Sequence, residues 1–135
     1  MNELRPDEGY VNISNHIRIT VVPGYLPEHS DPNQELYAFS YTVTLENLGS
    51  DTVQLINRHW IVNSGGVQYA DVKGEGVVGF QPVLEPGDTF QYGSGSTINN
   101  PQGAMYGIYT FQNERGEFFD AEIPRFDLIC PDVVN

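Results

Sequence analysis

Residues 36–46, Leu-Tyr-Ala-Phe-Ser-Tyr-Thr-Val-Thr-Leu-Glu, alternate between large apolar side chains and small or polar ones. A period of two puts the two sets on opposite faces of a β-strand. The apolar face carries Tyr37, Phe39, Tyr41, Val43 and Leu45. One face is then buried and the other is wet, which is typical of an antiparallel sheet.

Similar patterns predict strands on both sides of this stretch. In residues 10–22 the apolar side chains Val11, Ile13, Ile17, Ile19 and Val21 occupy odd positions, which predicts one long strand or a bent pair. Residues 52–62 carry apolar side chains on both faces, as expected of a strand in the middle of a sheet or between two layers. Further strands are predicted at 67–72, 82–84, 89–98, 104–112 and 117–128, of which the first two are short.

Turn residues separate these strands, and no segment has a helical period. The chain of 135 residues is one domain long. We therefore predict a single all-β domain over residues 1–135, a β-sandwich of two antiparallel sheets with about seven to eight strands. Residues 1–9 are interpreted as a loose N-terminal arm and residues 129–135 as a C-terminal tail. The side chains expected in the core are Tyr37, Phe39, Tyr41, Val43, Trp60, Tyr109 and Ile123.

The charge and composition exclude several classes of function. A net charge of −12, from 6 basic and 18 acidic residues, argues against binding the phosphate backbone of nucleic acids. It can attract a basic protein patch or cations, or it can simply keep the protein in solution. The single cysteine, Cys130, and the lack of an apolar N-terminal segment predict a cytoplasmic protein. A membrane helix needs a run of about twenty apolar residues, and the sequence contains none, so we do not expect insertion into a membrane.

The string Gly74-Glu75-Gly76-Val77-Val78-Gly79 matches a dinucleotide-binding fingerprint. That chemistry needs a following helix whose amides hold the pyrophosphate, and Pro82 stands three residues after the last glycine. We therefore favour a glycine-rich bulged loop that crosses between sheets, with some glycines at positive φ or in close backbone contact. The alternative is an anion-binding nest formed by Lys73, Gly74, Gly76 and Gly79, which Lys73 favours and Glu75 opposes.

No catalytic or metal-binding constellation is predicted. The histidines His16, His29 and His59 lack the close spacing of a zinc motif, so we expect no structural metal and no cofactor. Asp120 and Glu122 share a strand face and could hold a divalent cation weakly, but a solvated outer face explains them as well. Ser94 and Ser96 have no nucleophile elbow or triad spacing around them. The sequence thus predicts no enzyme.

Taken in order, the motifs of this chain resemble those of bacterial ApaG proteins from about Ile17 to Leu128. The matching strings are Tyr25-Leu26 with Glu28 and Ser30, residues 37–47, Arg58-His59-Trp60, residues 74–79, Gln81-Pro82-Val83-Leu84, Pro86-Gly87, Tyr92, Ser94-Gly95, Pro101, Gly103, Met105, Gly107, Tyr109, Glu122-Ile123-Pro124, Phe126 and Leu128. The chain departs from the family pattern at His29, where Gln is expected, and in its tail after Leu128.

The resemblance implies a fibronectin type III-like sandwich and an indirect link to cobalt and magnesium tolerance, the source of the label "efflux". Similar modules occur in eukaryotic F-box and polymerase-interacting proteins, where the implied task is protein recognition. A small acidic sandwich cannot itself be a transmembrane transporter, so an efflux role must be indirect.

Two functional hypotheses follow, from different classes. The first is a non-enzymatic cytosolic module that recognises a protein partner through exposed aromatic or apolar residues: Tyr25, Leu26, His59, Phe80 and Phe118. The alternative is a small-ligand sensor that binds a phosphate or nucleotide at the glycine string, or a divalent cation on the acidic face. His59 points opposite to Trp60 on a period-two strand, and it is either exposed for recognition or satisfied within the core. The sequence does not predict an oligomeric state.

Overall fold

A computed structural model describes residues 9–131 of the chain. Nine strands cover most of these residues: β1 Tyr10–Ser14, β2 Ile17–Tyr25, β3 Tyr37–Asn47, β4 Val53–Ser64, β5 Val67–Glu75, β6 Val83–Leu84, β7 Thr89–Ile98, β8 Gln102–Asn113 and β9 Phe118–Ile129. Helix in this part of the chain is confined to two single 3-10 turns, Pro27–His29 and Pro32–Gln34. None of the described helices is long and apolar enough to cross a membrane. The predicted N-terminal arm lies outside the described residues except for Gly9, and the predicted tail lies outside them after Pro131, with Ile129 still in β9.

The strands form two antiparallel sheets, which confirms the predicted architecture. The first sheet has the order β1-β2-β3-β7, and the second has the order β5-β4-β8-β9 with β6 paired to β4. This arrangement is compatible with the fibronectin type III-like sandwich that the resemblance implies. The strand count exceeds the prediction because residues 10–25 form a hairpin. Its turn residues Asn15 and His16 have φ of 50° and 66°, the conformation of a tight type I′ turn.

The core lies between the sheets and has the predicted composition. Phe39, Tyr41 and Val43 of β3 point inward and are at most 6% exposed. Trp60, Tyr109 and Ile123 are buried as predicted, each at most 4% exposed. Tyr37 packs against the core but is only partly buried, since it is the first residue of β3.

A β-bulge explains why β4 has apolar residues on both faces. β4 lies between β5 and β8, in the middle of its sheet as predicted. Leu55 is paired with Phe111 and Asn57 with Thr110, so Ile56 is the extra residue. Such a bulge moves the following side chains to the opposite face. Buried positions are accordingly odd before it, as at Leu55, and even after it, as at Trp60.

The two lateral sides of the sandwich differ. On one side, side chains of the β1 hairpin reach the β9 backbone: Asn12 and Asn15 donate to the carbonyl oxygens of Glu122 and Asp120, and the Ser14 hydroxyl accepts from the Glu122 amide. On the other side, the sheets end at β7 and β5, and the connection from β5 to β6 lies between them. The candidate site lies on this second side.

Candidate functional site

Residues 74–80, here called the glycine loop, turn back on themselves over a buried valine. Val77 is 1% exposed. Its amide and carbonyl bond to the carbonyl and amide of Phe80, both at 2.8 Å. The two central residues, Val78 and Gly79, have φ of 43° and 87°, as a type I′ turn requires.

Arg58 of β4 holds the base of the glycine loop. Its Nη1 donates to the carbonyl oxygens of Glu75 and Gly76 at 2.9 and 2.8 Å. The guanidinium lies against Gly74, where an added Cβ would come within 2.8 Å of Nη2. Arg58 therefore satisfies two loop carbonyls, and Gly74 leaves room for it.

The glycine string has a structural role, as favoured from the sequence, but the predicted crossing between sheets is wrong. The strands that it connects, β5 and β6, both belong to the second sheet, because β6 returns to pair with β4. Gly76 has φ of 64°, and a Cβ on it would lie 2.3 Å from the Phe80 carbonyl oxygen. Gly79 also has positive φ, and Gly74 makes a close contact. The prediction of positive φ or close backbone contacts is thus confirmed at Gly76 and Gly79, whereas the close contact at Gly74 is with the side chain of Arg58.

The amides of the glycine loop are largely engaged within the protein. The Gly76 amide donates to the Ile56 carbonyl, and the amides of Val77 and Phe80 donate within the turn. Lys73 is paired with His59 in the ladder, so its side chain is on the sheet face opposite to Trp60. The four residues of the predicted anion nest are neighbours in the chain, but this geometry supports a structural role for the loop over a phosphate cradle.

A cleft of about 280 Å³ opens between the glycine loop and β7. Trp60 and Tyr41 line its wall, and Val72 and Val78 lie on the loop side. On the β7 side the lining includes Ser94, Gly95 and Ser96. These positions of β7 carry only small side chains, which do not fill the space between the two sheets. The cleft is this unfilled space.

Among the described residues, the lining of this cleft contains Arg58 but no His, Asp, Glu or Cys that could act as a base for Ser94 or Ser96. Tyr41 is hydrogen-bonded to Ser94, but burial raises the pKa of Tyr41. The tyrosines below it are held neutral: burial, before any other cause, raises the pKa of Tyr92 and of Tyr109, whose hydroxyls are hydrogen-bonded to each other. An activated nucleophile needs an adjacent base or a lowered pKa. The lining supplies neither.

The residues predicted to contact a partner do not form one surface. Phe80 is 60% exposed, two residues after Val78 of the cleft lining, and its ring lies 6.1 Å from that of Phe90 of β7. Tyr25 and Leu26 are half buried at the end of β2, two strands away from β7. Phe118, 63% exposed, begins β9 at the opposite edge of the second sheet from β5.

His59 lies on the outer face of the second sheet. Its side chain is 33% exposed, and Nε2 is 2.8 Å from Oδ1 of Asp71 on β5. The core position left open by the sequence is therefore wrong, since His59 is partly exposed and contacts Asp71; its role in recognition stays a prediction. His59 is on the opposite face from Trp60 and from the cleft.

A second depression, about 690 Å³ in volume, lies at one end of the sandwich. Its polar groups bind one another. Asn47, 1% exposed, donates to the carbonyl oxygens of Asp51 and Leu84 and accepts from the Gly49 amide. Arg115 pairs with Asp51 and Glu117, and the hydrogen bond from Asn113 together with Arg115 lowers the pKa of Glu117. We interpret this end as a structural network.

The carboxylates and histidines are dispersed. Within residues 9–131 no group of three or more His, Cys, Asp or Glu side chains is placed to hold a metal ion. Asp120 of the predicted acidic face accepts a hydrogen bond from the Thr110 hydroxyl at 2.8 Å.

Sequence reasoning missed Val72 and Val78 and interpreted Ser94 and Ser96 only as weak nucleophile candidates. The cleft brings these residues together from β5, the glycine loop and β7. Ser94 and Ser96 pair with residues of β3 more than fifty positions away in the chain, and Val72 pairs with Trp60, twelve positions away. One signal was available: the run Gly93-Ser94-Gly95-Ser96 has no large side chain to fill a core.

Fold and cleft together define a single-domain antiparallel β-sandwich with an open lateral cleft. Residues 27–113 match the family model of the ApaG domain, and the chain belongs to the ApaG family. Protein ApaG of Thiobacillus denitrificans is 49% identical over 119 residues, which cover 88% of this chain and 94% of the relative. Protein ApaG of Methylocella silvestris is 45% identical over 122 residues, 90% of this chain and 94% of the relative.

A solved structure described as an ApaA protein from Bordetella pertussis superimposes with a TM-score of 0.83. It is 44% identical, and the match covers 87% of this chain and 95% of that one. The family resemblance found in the sequence is thereby confirmed.

Proposed function

We propose that this chain is a non-enzymatic, cytoplasmic module that recognises another protein at the mouth of the cleft. The recognition surface consists of Val72, Val78 and Phe80. A contribution to cobalt and magnesium tolerance, which the family resemblance implies, would then be exerted through the partner.

The observation that carries the proposal is the tip of the glycine loop. Val78 and Phe80 are 51% and 60% exposed, and Val72 beside them is 41% exposed. A β-branched residue at positive φ is a rare outlier that costs of order 1–3 kcal/mol. Val78 bears this cost at φ 43° without being buried in the isolated chain. Large apolar side chains held exposed in this way are typical of an interaction site.

The lining of the cleft supports a binding role over a catalytic one. An apolar wall with a few polar groups suits recognition of a side chain. Arg58 is engaged by two loop carbonyls, and the buried tyrosines stay protonated. Chemistry at this site would need a general base that the lining does not contain.

Affinity capture with two matched variants tests the proposal. The tagged chain, Phe80→Ser and Phe118→Ser are each incubated with cytosol of the native host, and bound proteins are identified by mass spectrometry. Both phenylalanines are more than half exposed, so neither substitution should disturb the core. We expect Phe80→Ser to lose a discrete partner that the parent and Phe118→Ser retain. Equal capture by all three chains would contradict the proposed surface.

A further inference from the structure

Strand β7 is a long sheet edge without the usual protection. It runs for ten residues, Thr89-Phe90-Gln91-Tyr92-Gly93-Ser94-Gly95-Ser96-Thr97-Ile98, and within residues 9–131 it is paired only with β3. The run contains no charged residue and no proline, and its register with β3 is continuous. Edge strands are normally blocked by Lys, Pro, bulges or a covering element, because their unpaired backbone groups attract another strand.

The edge on the same side of the second sheet differs. β5 carries Asp71, Lys73 and Glu75, and its register with β4 shifts near Asn63. Charges and irregular register are both devices that discourage strand pairing. The available edge on this side of the sandwich is thus β7.

The inner face of β5 is only partly covered among the described residues: Ala70 packs against the core and Arg58 lies against Gly74, but Val72 stays exposed. Every residue of β5 is exposed or only partly buried. Val72 is paired with Trp60 and shares its inward-facing side, yet it is 41% exposed. A strand added to β7 would lie about 4.8 Å beyond it, in the layer about 10 Å above β5. The free edge of β7 and the exposed part of the inner face of β5 therefore lie next to each other. One added strand would pair with the first and cover the second.

The inward-facing side chains of β7 leave the core accessible from the position of the added strand. Tyr92 and Ile98 are buried, but Ser94 between them is exposed and Ser96 is partly buried. Alternate side chains of an added strand would point toward the cleft beside these serines. Backbone pairing gives such a complex its affinity, and pockets for alternate side chains give it specificity.

We propose that an extended, positively charged segment of a partner protein pairs with β7 as a fifth strand of the first sheet and inserts apolar side chains into the cleft. The inference rests on the proposed function and specifies how the partner binds. The net charge of −12 favours a basic segment. Glu75, Glu85 and Asp88 are exposed at the ends of the strands and turns that border the site. A second copy of the chain would instead bring a further net charge of −12 to the same edge, and the two copies would repel each other.

Synthetic peptides test strand pairing directly. The probe is a ten-residue peptide of alternating valine and lysine, which matches the length of β7. Trp60, the single tryptophan, lies in the cleft wall and reports binding by fluorescence. We expect saturable binding that weakens with salt, together with slower amide hydrogen exchange across residues 89–98. A valine–glutamate peptide of the same length should bind at least tenfold more weakly.

Two backbone-methylated isomers separate strand pairing from simple apolar contact. Successive backbone amides of a strand point to opposite edges, so methylating the nitrogens of all lysines blocks one edge and methylating those of all valines blocks the other. If the peptide is antiparallel to β7, as all paired strands of this sheet are, and its valines face the cleft, only one of its edges can pair with β7. We expect one isomer to bind like the parent and the other to lose at least tenfold in affinity.

Matched variants of the protein locate the site. Ser94→Lys puts a charge into the cleft, and Thr97→Lys puts the same charge on the outer face of the same strand. We expect Ser94→Lys to weaken peptide binding at least tenfold and Thr97→Lys to change it by less than about threefold. Thermal unfolding of both variants verifies that the fold is intact.

Several results would overturn the inference. Equal binding of both methylated isomers, or absence of peptide binding, would exclude strand pairing while leaving the Phe80 capture result, and so the proposed function, untouched. Equal binding of the glutamate peptide would exclude a basic segment. Sedimentation that shows a dimer dispersed by Ser94→Lys would make a second copy of the chain the occupant.

Discussion

Trp60 joins the two sheets through aromatic contacts. Its ring centroid lies 5.3, 5.9 and 6.1 Å from those of Tyr41, Phe126 and Tyr109. We predict that Trp60→Ala lowers the free energy of unfolding by about 3–5 kcal/mol, the cost of deleting a large core aromatic. Urea unfolding followed by circular dichroism measures it. A loss below about 1 kcal/mol would show that Trp60 does not hold the core.

The glycines of the loop differ in what a methyl group would meet. At Gly79 an added Cβ meets open space and only the positive φ is unfavourable, so Gly79→Ala should cost about 1–2 kcal/mol. At Gly76 the Cβ also meets the Phe80 carbonyl. We expect Gly76→Ala to cost more than about 3 kcal/mol, as the strain and the clash add. Equal unfolding free energies for the two variants would contradict this account of the loop.

The buried tyrosines predict weakening at alkaline pH. Above a pH of about 10, tyrosines of the unfolded chain lose protons that Tyr92 and Tyr109 keep in the folded chain. The folded state then binds more protons, so the free energy of unfolding falls as pH rises, by up to about 1.4 kcal/mol per pH unit for each group.

Urea unfolding across alkaline pH should show a shallower decline for Tyr92→Phe than for the parent. Tyr69→Phe, at an exposed tyrosine, serves as the control. An unchanged slope in Tyr92→Phe would be inconsistent with a raised pKa in the folded state.

At the scale of elements, sequence pattern predicted strands far better than their pairings. Alternation in β3 marked its buried face because one side faces the core without interruption. The same alternation does not mark one buried face of β4, because the bulge at Ile56 shifts the pattern. This bulge arises from the pairing with β8 and cannot be recognised in the sequence of β4 alone. The hairpin turn at Asn15-His16 contains no glycine, so the sequence does not distinguish it from a bend in one long strand.

The candidate site was predicted only in part for the same reason. The glycine string and Phe80 stand out in the sequence, and the structural role of the glycines followed from their need for positive φ. The cleft exists because β7 is the last strand of the first sheet. The contact of Arg58 with the glycine loop depends on its pairing with Gly74, sixteen residues away in the chain. Such non-local contacts leave little trace in a single sequence.

The glycine loop also predicts an outcome with nucleotides. The amides of Gly76, Val77 and Phe80 already donate hydrogen bonds to carbonyl groups of the protein. We therefore expect ATP, GTP or NAD at millimolar concentration to leave the melting temperature unchanged. A ligand that binds the native state would raise it with dose. A saturable rise that disappears in a folded Gly76→Ala variant would instead support a nucleotide site.

At the scale of the whole molecule, the charge predicts how metals behave. We expect a chelator to leave the melting temperature of the isolated protein unchanged, since the acidic side chains are spread over the surface. Cobalt or magnesium added to the protein should associate weakly, and salt should weaken the association by screening. Calorimetry that gives a tight, stoichiometric and salt-insensitive cobalt site would contradict this prediction.

The open side of the sandwich is the feature that connects fold to function. The β1 hairpin and β9 are linked by side chains, while β7 and β5 leave a cleft between them with apolar residues at its mouth. This asymmetry assigns recognition to one side of the molecule and structural roles to the other side and to the network around Asn47.

Photo-crosslinking in living cells of the native host tests this central claim most directly. A photoreactive phenylalanine analogue replaces Phe80 in one chain and Phe118 in another, so that each carries the probe at an exposed aromatic position. Recognition at the cleft predicts a discrete crosslinked protein from position 80, lost when Ser94→Lys is added, and none from position 118. A crosslink from position 118 alone, or one from position 80 that is indifferent to Ser94→Lys, would contradict recognition at the cleft.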